Sequence, residues 1–91
     1  EFSYKNLEYI GLVKPQFEAR KNEANKTNGI ISDPSIWLRT LQEVTTSAKE
    51  AGGHLQAATT SPILGRSGNK EFFLFFATVT PENKVDFASL F

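Results

Sequence analysis

The sequence predicts an α/β fold that forms half of an open α/β sheet. Three observations predict it: an apolar, β-rich run at residues 7–13, an amphipathic helix that begins after Asp33, and two further strand-like runs after that helix. The 91 residues fit one small domain or a piece of one, and 40% apolar residues with eight Phe are enough for a hydrophobic core.

The first predicted element is a strand over residues 7–13, which ends at Lys14 and Pro15. Its nearly continuous apolar character is typical of a buried strand covered on both faces, and a short core helix has the same pattern. The β-branched residues and the proline favour the strand. An irregular loop over residues 16–32 follows, with a short helical start at 16–21, and a loop of this length indicates function or mobility.

The helix after this loop is the clearest element of the sequence. Asp33 is a favoured N-cap, Pro34 suits the first helical position, and Gly52 and Gly53 end the helix. One face is apolar and is predicted to pack on the sheet through Trp37, Leu41, Val44 and Ala48.

Two more strands are predicted after the helix. The second strand covers residues 55–60 and ends at Ser61 and Pro62, and the third covers residues 72–80 and ends at Pro81. The order predicts one right-handed βαβ crossover with an antiparallel hairpin appended to it. A tail over residues 82–91, which ends in Phe87, Leu90 and Phe91, is expected to pack against the sheet.

A single helix cannot cover both faces of the Phe-rich third strand, whose apolar residues point to both sides. Another part of the domain or a second copy of the chain is therefore expected to cover the remaining face. The sequence has no Met, so we interpret it as a segment of a longer protein, with Glu1 and Phe2 as a cloning remnant.

The composition excludes several classes of function. The chain has no Cys and a single His, which excludes disulfides and thiolate metal sites and makes a histidine metal site improbable. No apolar run approaches the ~18 residues that a transmembrane helix needs. Ten basic and ten acidic residues give no net charge, but nucleic acid stays a candidate partner because phosphates attract local basic patches.

Candidate site residues follow from the strand ends. Lys14 and Ser61 follow the first and second strands, and Glu71 precedes the antiparallel third strand, so all three are expected at one edge of the sheet, where ligands bind in such folds. The adjoining loops add the basic residues Arg20, Lys21, Lys26, Arg66 and Lys70, which are candidates for RNA phosphate contacts.

Each candidate also has an ordinary structural interpretation. Lys14 is either a solvated lysine at a strand end or a general base, and Glu71 is either a surface carboxylate or the group that orients the lysine amine. The basic residues fit a solvated rim as well as an RNA-contacting surface. His54 has no neighbouring pattern that indicates catalysis or metal binding, which favours a structural role.

Four segments resemble the C-terminal part of the haemolysin A (TlyA-like) proteins. They are residues 12–18 (Leu-Val-Lys-Pro-Gln-Phe-Glu), 28–34 (Asn-Gly-Ile-Ile-Ser-Asp-Pro), 61–65 (Ser-Pro-Ile-Leu-Gly) and 68–74 (Gly-Asn-Lys-Glu-Phe-Phe-Leu). The resemblance covers residues 7–78. It implies the C-terminal half of a Rossmann-like class I methyltransferase fold of the FtsJ type, with a parallel βαβ unit and an antiparallel final strand.

The same resemblance implies a reaction and its residues. Such enzymes use S-adenosylmethionine to methylate ribose 2′-hydroxyls of ribosomal RNA through a Lys-Asp-Lys-Glu tetrad, and its third and fourth members match Lys14 and Glu71. The first Lys, the Asp, the glycine-rich cofactor loop and an S4-like RNA-binding domain are expected upstream. No cofactor-binding residue is therefore predicted here, and the isolated fragment is expected to be inactive.

The resemblance predicts a cytoplasmic protein that acts in rRNA processing, with ribosomal RNA or a ribosomal subunit as its partner. Two alternatives stay open: a cytolysin that acts on membranes, which the family's historical name suggests, and a non-enzymatic RNA-binding module. No amphipathic helix with a basic face supports the first alternative, so no stable membrane association is expected.

Overall fold

The computed structural model describes residues 5–20, 29–65 and 68–91. The elements are β1 (Glu8–Val13), α1 (Pro15–Glu18), α2 (Pro34–Glu50), β2 (His54–Thr60), β3 (Phe72–Ala77) and a 3-10 helix (Phe87–Leu90). The predicted α/β class is confirmed as a small domain with one three-stranded sheet, and each main predicted strand and helix is present.

The sheet has the order β1-β3-β2, and β3 is antiparallel to both neighbours. The antiparallel final strand and its hairpin with β2 are therefore confirmed. The position of β3 differs from the prediction, because it lies between the two strands of the βαβ unit and not beside them. The central position gives the most apolar strand two hydrogen-bonded neighbours.

The core lies between the sheet and α2. Phe72, Leu74 and Phe76 alternate along β3 on the buried face, and Leu41 of α2 is fully buried with them. The helix begins as predicted: the Asp33 side chain accepts a hydrogen bond from the Ser35 N–H at 2.9 Å, and Pro34 follows it. This N-cap fixes where α2 starts, immediately beside the edge of the sheet.

The prediction that the first strand is buried on both faces is wrong. Tyr9, Ile10 and Leu12 are 43%, 61% and 46% exposed. The reason is positional: β1 is an outer strand of the described sheet, and α2 covers only one of its faces. In the register, Ile10 and Leu12 lie opposite Phe75 and Phe73 on the other face, which no described element covers. The expectation that one helix leaves a face uncovered is confirmed.

The tail packs on the core as predicted. Phe87 in the 3-10 helix is 9% exposed, and the Phe91 ring lies 5.3 Å from the Trp37 ring, centroid to centroid. Trp37 also donates a hydrogen bond from Nε1 to the Ile31 carbonyl at 3.0 Å. The end of the chain and the segment before α2 therefore meet on the same tryptophan.

Candidate functional site

One edge of the sheet gathers the ends of all three strands. Phe72 pairs with Val13 on one side and with Thr60 on the other, so the residues just beyond these positions meet at this edge. They are Lys14, Ser61 and Glu71, and the Ser61 N–H donates to the Glu71 carbonyl at 2.8 Å. Residues distant in the sequence are therefore brought together by the register alone.

Lys14 is the residue between β1 and α1. Its extended backbone, with φ −111° and ψ 95°, lets its carbonyl accept from the N–H groups of Phe17 and Glu18 at 2.9 and 3.0 Å. The side chain is half-buried, and Nζ lies 5.7 Å from the centre of the Phe17 ring. The backbone of Lys14 is fixed by the helix start, and its amine lies near the ring of Phe17, which is itself 72% exposed.

Glu71 is 8% exposed and is therefore not an ordinary surface carboxylate. Its Oε2 atom accepts a hydrogen bond from Gln16 Nε2 at 2.8 Å. No ion pair within 4.0 Å joins Glu71 to Lys14 in the described part of the chain. The two residues are neighbours at one edge, but the direct partner of the carboxylate is the glutamine amide.

The loop after β2 also contacts this carboxylate. A Cβ atom on Gly65 would lie 2.6 Å from Glu71 Cδ, closer than a Cβ atom can pack, and would make a tight contact of 3.2 Å with Gln16 Nε2. Sequence reasoning missed Gln16 and Gly65 as site residues. Both lie inside the segments that carry the family resemblance, at 12–18 and 61–65, and that location is the feature that could have indicated them.

Asn69 connects two of the loops at this edge. It is 3% exposed, its Oδ1 accepts from the Ile31 N–H at 2.9 Å, and its Nδ2 donates to the Gly29 carbonyl at 2.8 Å. The Asn69 carbonyl accepts from the Gly65 N–H at 2.7 Å. The segment before α2 and the loop between β2 and β3 are thus held together two residues before Glu71.

Comparison with known proteins identifies relatives over most of the chain. The chain is 37% identical to the 16S/23S rRNA (cytidine-2'-O)-methyltransferase TlyA of Mycobacterium tuberculosis over 76 residues, which cover 84% of this chain and 28% of that protein. It is 36% identical to Hemolysin A of Brachyspira hyodysenteriae over 72 residues, 78% of this chain and 30% of the relative. The chain belongs to the haemolysin A (TlyA-like) family.

A solved structure agrees with this family. A "putative hemolysin" from Lactococcus lactis superposes with a TM-score of 0.85 at 36% identity, covering 96% of this chain and 42% of that one. No family model matches the chain. The chain spans less than a third of the length of these curated haemolysin A and TlyA relatives.

The structure describes two of the five predicted RNA-contacting residues of this haemolysin A family member, and these two have different environments. Lys21, Lys26 and Arg66 lie outside the described residues, and Arg20 is exposed. Lys70 donates from Nζ to the Leu90 carbonyl at 3.1 Å, and its Nζ lies 5.0 Å from the centre of the Trp37 ring. Lys70 therefore also holds the tail, and the RNA contacts stay predictions.

The remaining candidates for other chemistry are accounted for structurally. His54 Nδ1 lies 2.9 Å from the Thr80 carbonyl, which joins the start of β2 to the segment after β3. No cluster of three metal-ligating side chains occurs among the described residues. Nor does any helix in the described ranges combine the length and apolar composition that crossing a bilayer requires.

Proposed function

We propose that the chain is part of an S-adenosylmethionine-dependent methyltransferase that acts on ribose 2′-hydroxyls of ribosomal RNA, with Lys14 and Glu71 as catalytic residues. The observation that supports it most is the strand register, which puts these two residues at one edge of the sheet. The M. tuberculosis relative is named as an rRNA (cytidine-2'-O)-methyltransferase, which supports the reaction class.

We further propose that residues 1–91 are the C-terminal part of a Rossmann-like, FtsJ-type catalytic domain of a cytoplasmic protein. The same direction of β1 and β2, with antiparallel β3 between them, is compatible with that domain. The cofactor-binding half and the S4-like RNA-binding domain belong to the upstream part in this proposal. Ribosomal RNA or a ribosomal subunit is the proposed partner.

The proposed chemistry needs a base more than it needs covalent catalysis. A ribose hydroxyl is a weak nucleophile until its proton is removed, and a positioned general base accelerates such steps by about 10²–10⁴-fold. The Lys14 amine, in its neutral form, would take the hydroxyl proton, or as a cation it would stabilise the developing alkoxide. Glu71 would fix the direction of that amine.

In this proposal the cofactor site lies mainly in the upstream part of the protein. β1 is followed by Lys14 and Pro15 and β2 by Ser61 and Pro62, and neither turn is the glycine-rich type that binds nucleotide cofactors in such sheets. The transferred methyl group comes from S-adenosylmethionine when it is bound to the upstream part. The role of this chain is to hold the base and the hydroxyl in place.

Methyl transfer by the intact protein tests the proposed function. The protein that includes the upstream part is incubated with ribosomal subunits and methyl-labelled S-adenosylmethionine, and the RNA is digested to nucleosides. We expect label in a 2′-O-methyl nucleoside. Label on a nucleobase, or no label in ribosomal RNA, would contradict the proposal.

The hemolysin name of relatives makes membrane lysis a second candidate. Dye release from liposomes by the intact wild-type protein, compared with its Lys14→Ala variant, separates the two candidates. We expect no release above the level of the variant. Release well above that level would favour the cytolysin.

A further inference from the structure

We propose that Gln16 is a positioning residue for the Glu71 carboxylate, and that Gly65 is required because any side chain there would displace that carboxylate. This inference rests on the proposed function, since it assumes that Glu71 acts in the reaction. It adds two residues to the site, neither of which touches a reacting atom directly.

Gln16 and Lys14 belong to the same short segment. Lys14 is the N-cap of α1, Pro15 is buried at the first helical position, and Gln16 follows it. Because proline fixes φ and the N-cap carbonyl fixes the turn, the Cα–Cβ bonds of Lys14 and Gln16 leave the backbone in fixed directions. The hydrogen bond at 2.8 Å from Gln16 Nε2 to Glu71 Oε2 then sets the carboxylate relative to Lys14.

The side-chain amide of Gln16 is used on one side only, towards Glu71. Its Oε1 atom is buried and accepts no hydrogen bond from any described residue. A buried acceptor without a donor costs about 1–3 kcal/mol, and this cost is offset by the hydrogen bond that the same amide donates to the nearly buried Glu71 carboxylate. What the amide supplies is a donor aimed at the Glu71 carboxylate.

Gly65 is explained by space and not by backbone conformation. The glycines with positive φ among the described residues are Gly29, Gly52 and Gly68, so Gly65 has a backbone that other residues adopt. The Glu71 carboxylate, however, occupies the position of the missing Cβ. The loop is held close, because the Gly65 N–H donates to the Asn69 carbonyl at 2.7 Å and the Gly65 carbonyl accepts from the Gly68 N–H at 3.1 Å.

These contacts leave one carboxylate oxygen for the lysine. Glu71 Oε2 is hydrogen-bonded to the Gln16 amide and packed against Gly65, whereas Oε1 accepts no hydrogen bond from a described residue. Removal of the Gln16 donor, or addition of a side chain at Gly65, would let the carboxylate turn away from Lys14. Catalysis would then fall, although substrate and cofactor would still bind.

The test compares kcat with KM in the intact protein. Gln16→Met keeps the length of the side chain and removes the donor, and Gly65→Ala adds one methyl group against the carboxylate. For both we expect kcat for methyl transfer to fall about 10-fold or more, with KM for the RNA and cofactor affinity within about threefold. Gln42→Met on the exposed face of α2 and Gly11→Ala in β1 are matched controls with unchanged kcat.

The double variant Gln16→Met with Glu71→Gln separates positioning from a general structural role. If Gln16 acts through Glu71, the double variant has the same kcat as Glu71→Gln alone. Wild-type kcat in Gln16→Met, or a decrease that only follows the folded fraction in thermal unfolding, would overturn the inference. If Gln16→Met does not fold, wild-type kcat in Gly65→Ala overturns it.

Failure of the proposed function looks different. Absence of methyl transfer to ribosomal RNA by the wild-type protein would contradict the proposed function, whereas wild-type activity in Glu71→Gln would remove only the catalytic role of Glu71 and with it this inference. Loss of activity in Glu71→Gln together with wild-type kcat in both Gln16→Met and Gly65→Ala would overturn the positioning roles alone.

Discussion

Asn69 shows how one buried side chain organises the candidate site. Its amide satisfies the Ile31 N–H and the Gly29 carbonyl at once, and Ile31 is itself 2% exposed. Neither loop has regular secondary structure of its own at these residues, so the amide replaces the backbone pairing that a strand would provide. The order of the edge near Glu71 therefore depends on a residue that performs no chemistry.

Replacement of Asn69 by Ala is expected to destabilise the protein. Two backbone groups, one of them fully buried, lose their partner, which lowers the free energy of unfolding by roughly 2 kcal/mol or more. Urea denaturation of the intact protein measures this. Asn83→Ala, at an exposed residue with hydrogen bonds to Gln56 and Lys84, is the matched control and should change stability by less than half as much. Equal effects would refute the role of Asn69.

At the scale of elements, α2 depends on local chemistry at its N-terminus. The Asp33 carboxylate accepts from both the N–H and the hydroxyl of Ser35, at 2.9 and 2.8 Å. Asp33→Ala removes this cap and is expected to cost about 1 kcal/mol of stability, whereas Asp33→Asn keeps an acceptor and costs less. Thermal unfolding of the three proteins checks the order. An Asp33→Asn variant as unstable as Asp33→Ala would contradict the capping argument.

The elements were predictable where their causes are local. We could locate α2 and the strand ends to within a few residues from the N-cap residue, the spacing of the apolar residues and the positions of proline and glycine. Each of these signals depends only on neighbours in the chain. Strand order is set by pairings between distant segments, so the central position of β3 did not follow from the sequence. The exposure of β1 depends on which elements cover it, which no strand pattern contains.

The same distinction holds for the site. Lys14 and Glu71 were placed at one edge because strand ends and direction determine that edge. The contact of Gln16 with Glu71 joins side chains 55 residues apart, and the closeness of Gly65 depends on the path of a loop. Such contacts depend on three-dimensional packing and have no periodic pattern in the sequence.

At the scale of the whole molecule, the described sheet has one covered and one uncovered face. Ile10 and Leu12 are exposed beside Phe73 and Phe75, which are half-buried. A contiguous apolar surface of this kind normally contacts another structural element. The sequence predicts that the rest of the domain or a second copy of the chain covers this face.

RNA binding is a whole-molecule property that the predicted basic residues make testable. The logarithm of RNA affinity falls linearly with the logarithm of salt concentration, and each lysine or arginine that contacts a phosphate steepens this slope by about one unit. Arg20→Ala and Lys70→Ala in the intact protein are each expected to reduce that slope, whereas Lys84→Ala, at an exposed position after β3, should not. Filter binding of ribosomal RNA across a series of salt concentrations measures the slopes. Unchanged slopes in the first two variants would remove them from the RNA surface.

The most direct test of the central claim is methyl transfer by the Lys14→Ala variant of the intact protein under single-turnover conditions. Lys49→Ala, in which an exposed lysine of α2 loses its contact with Glu82, is the matched control. The account predicts that Lys14→Ala abolishes methylation of ribosomal RNA while cofactor affinity stays within a few fold, and that Lys49→Ala retains activity. Methylation by Lys14→Ala at the rate of the control would contradict it.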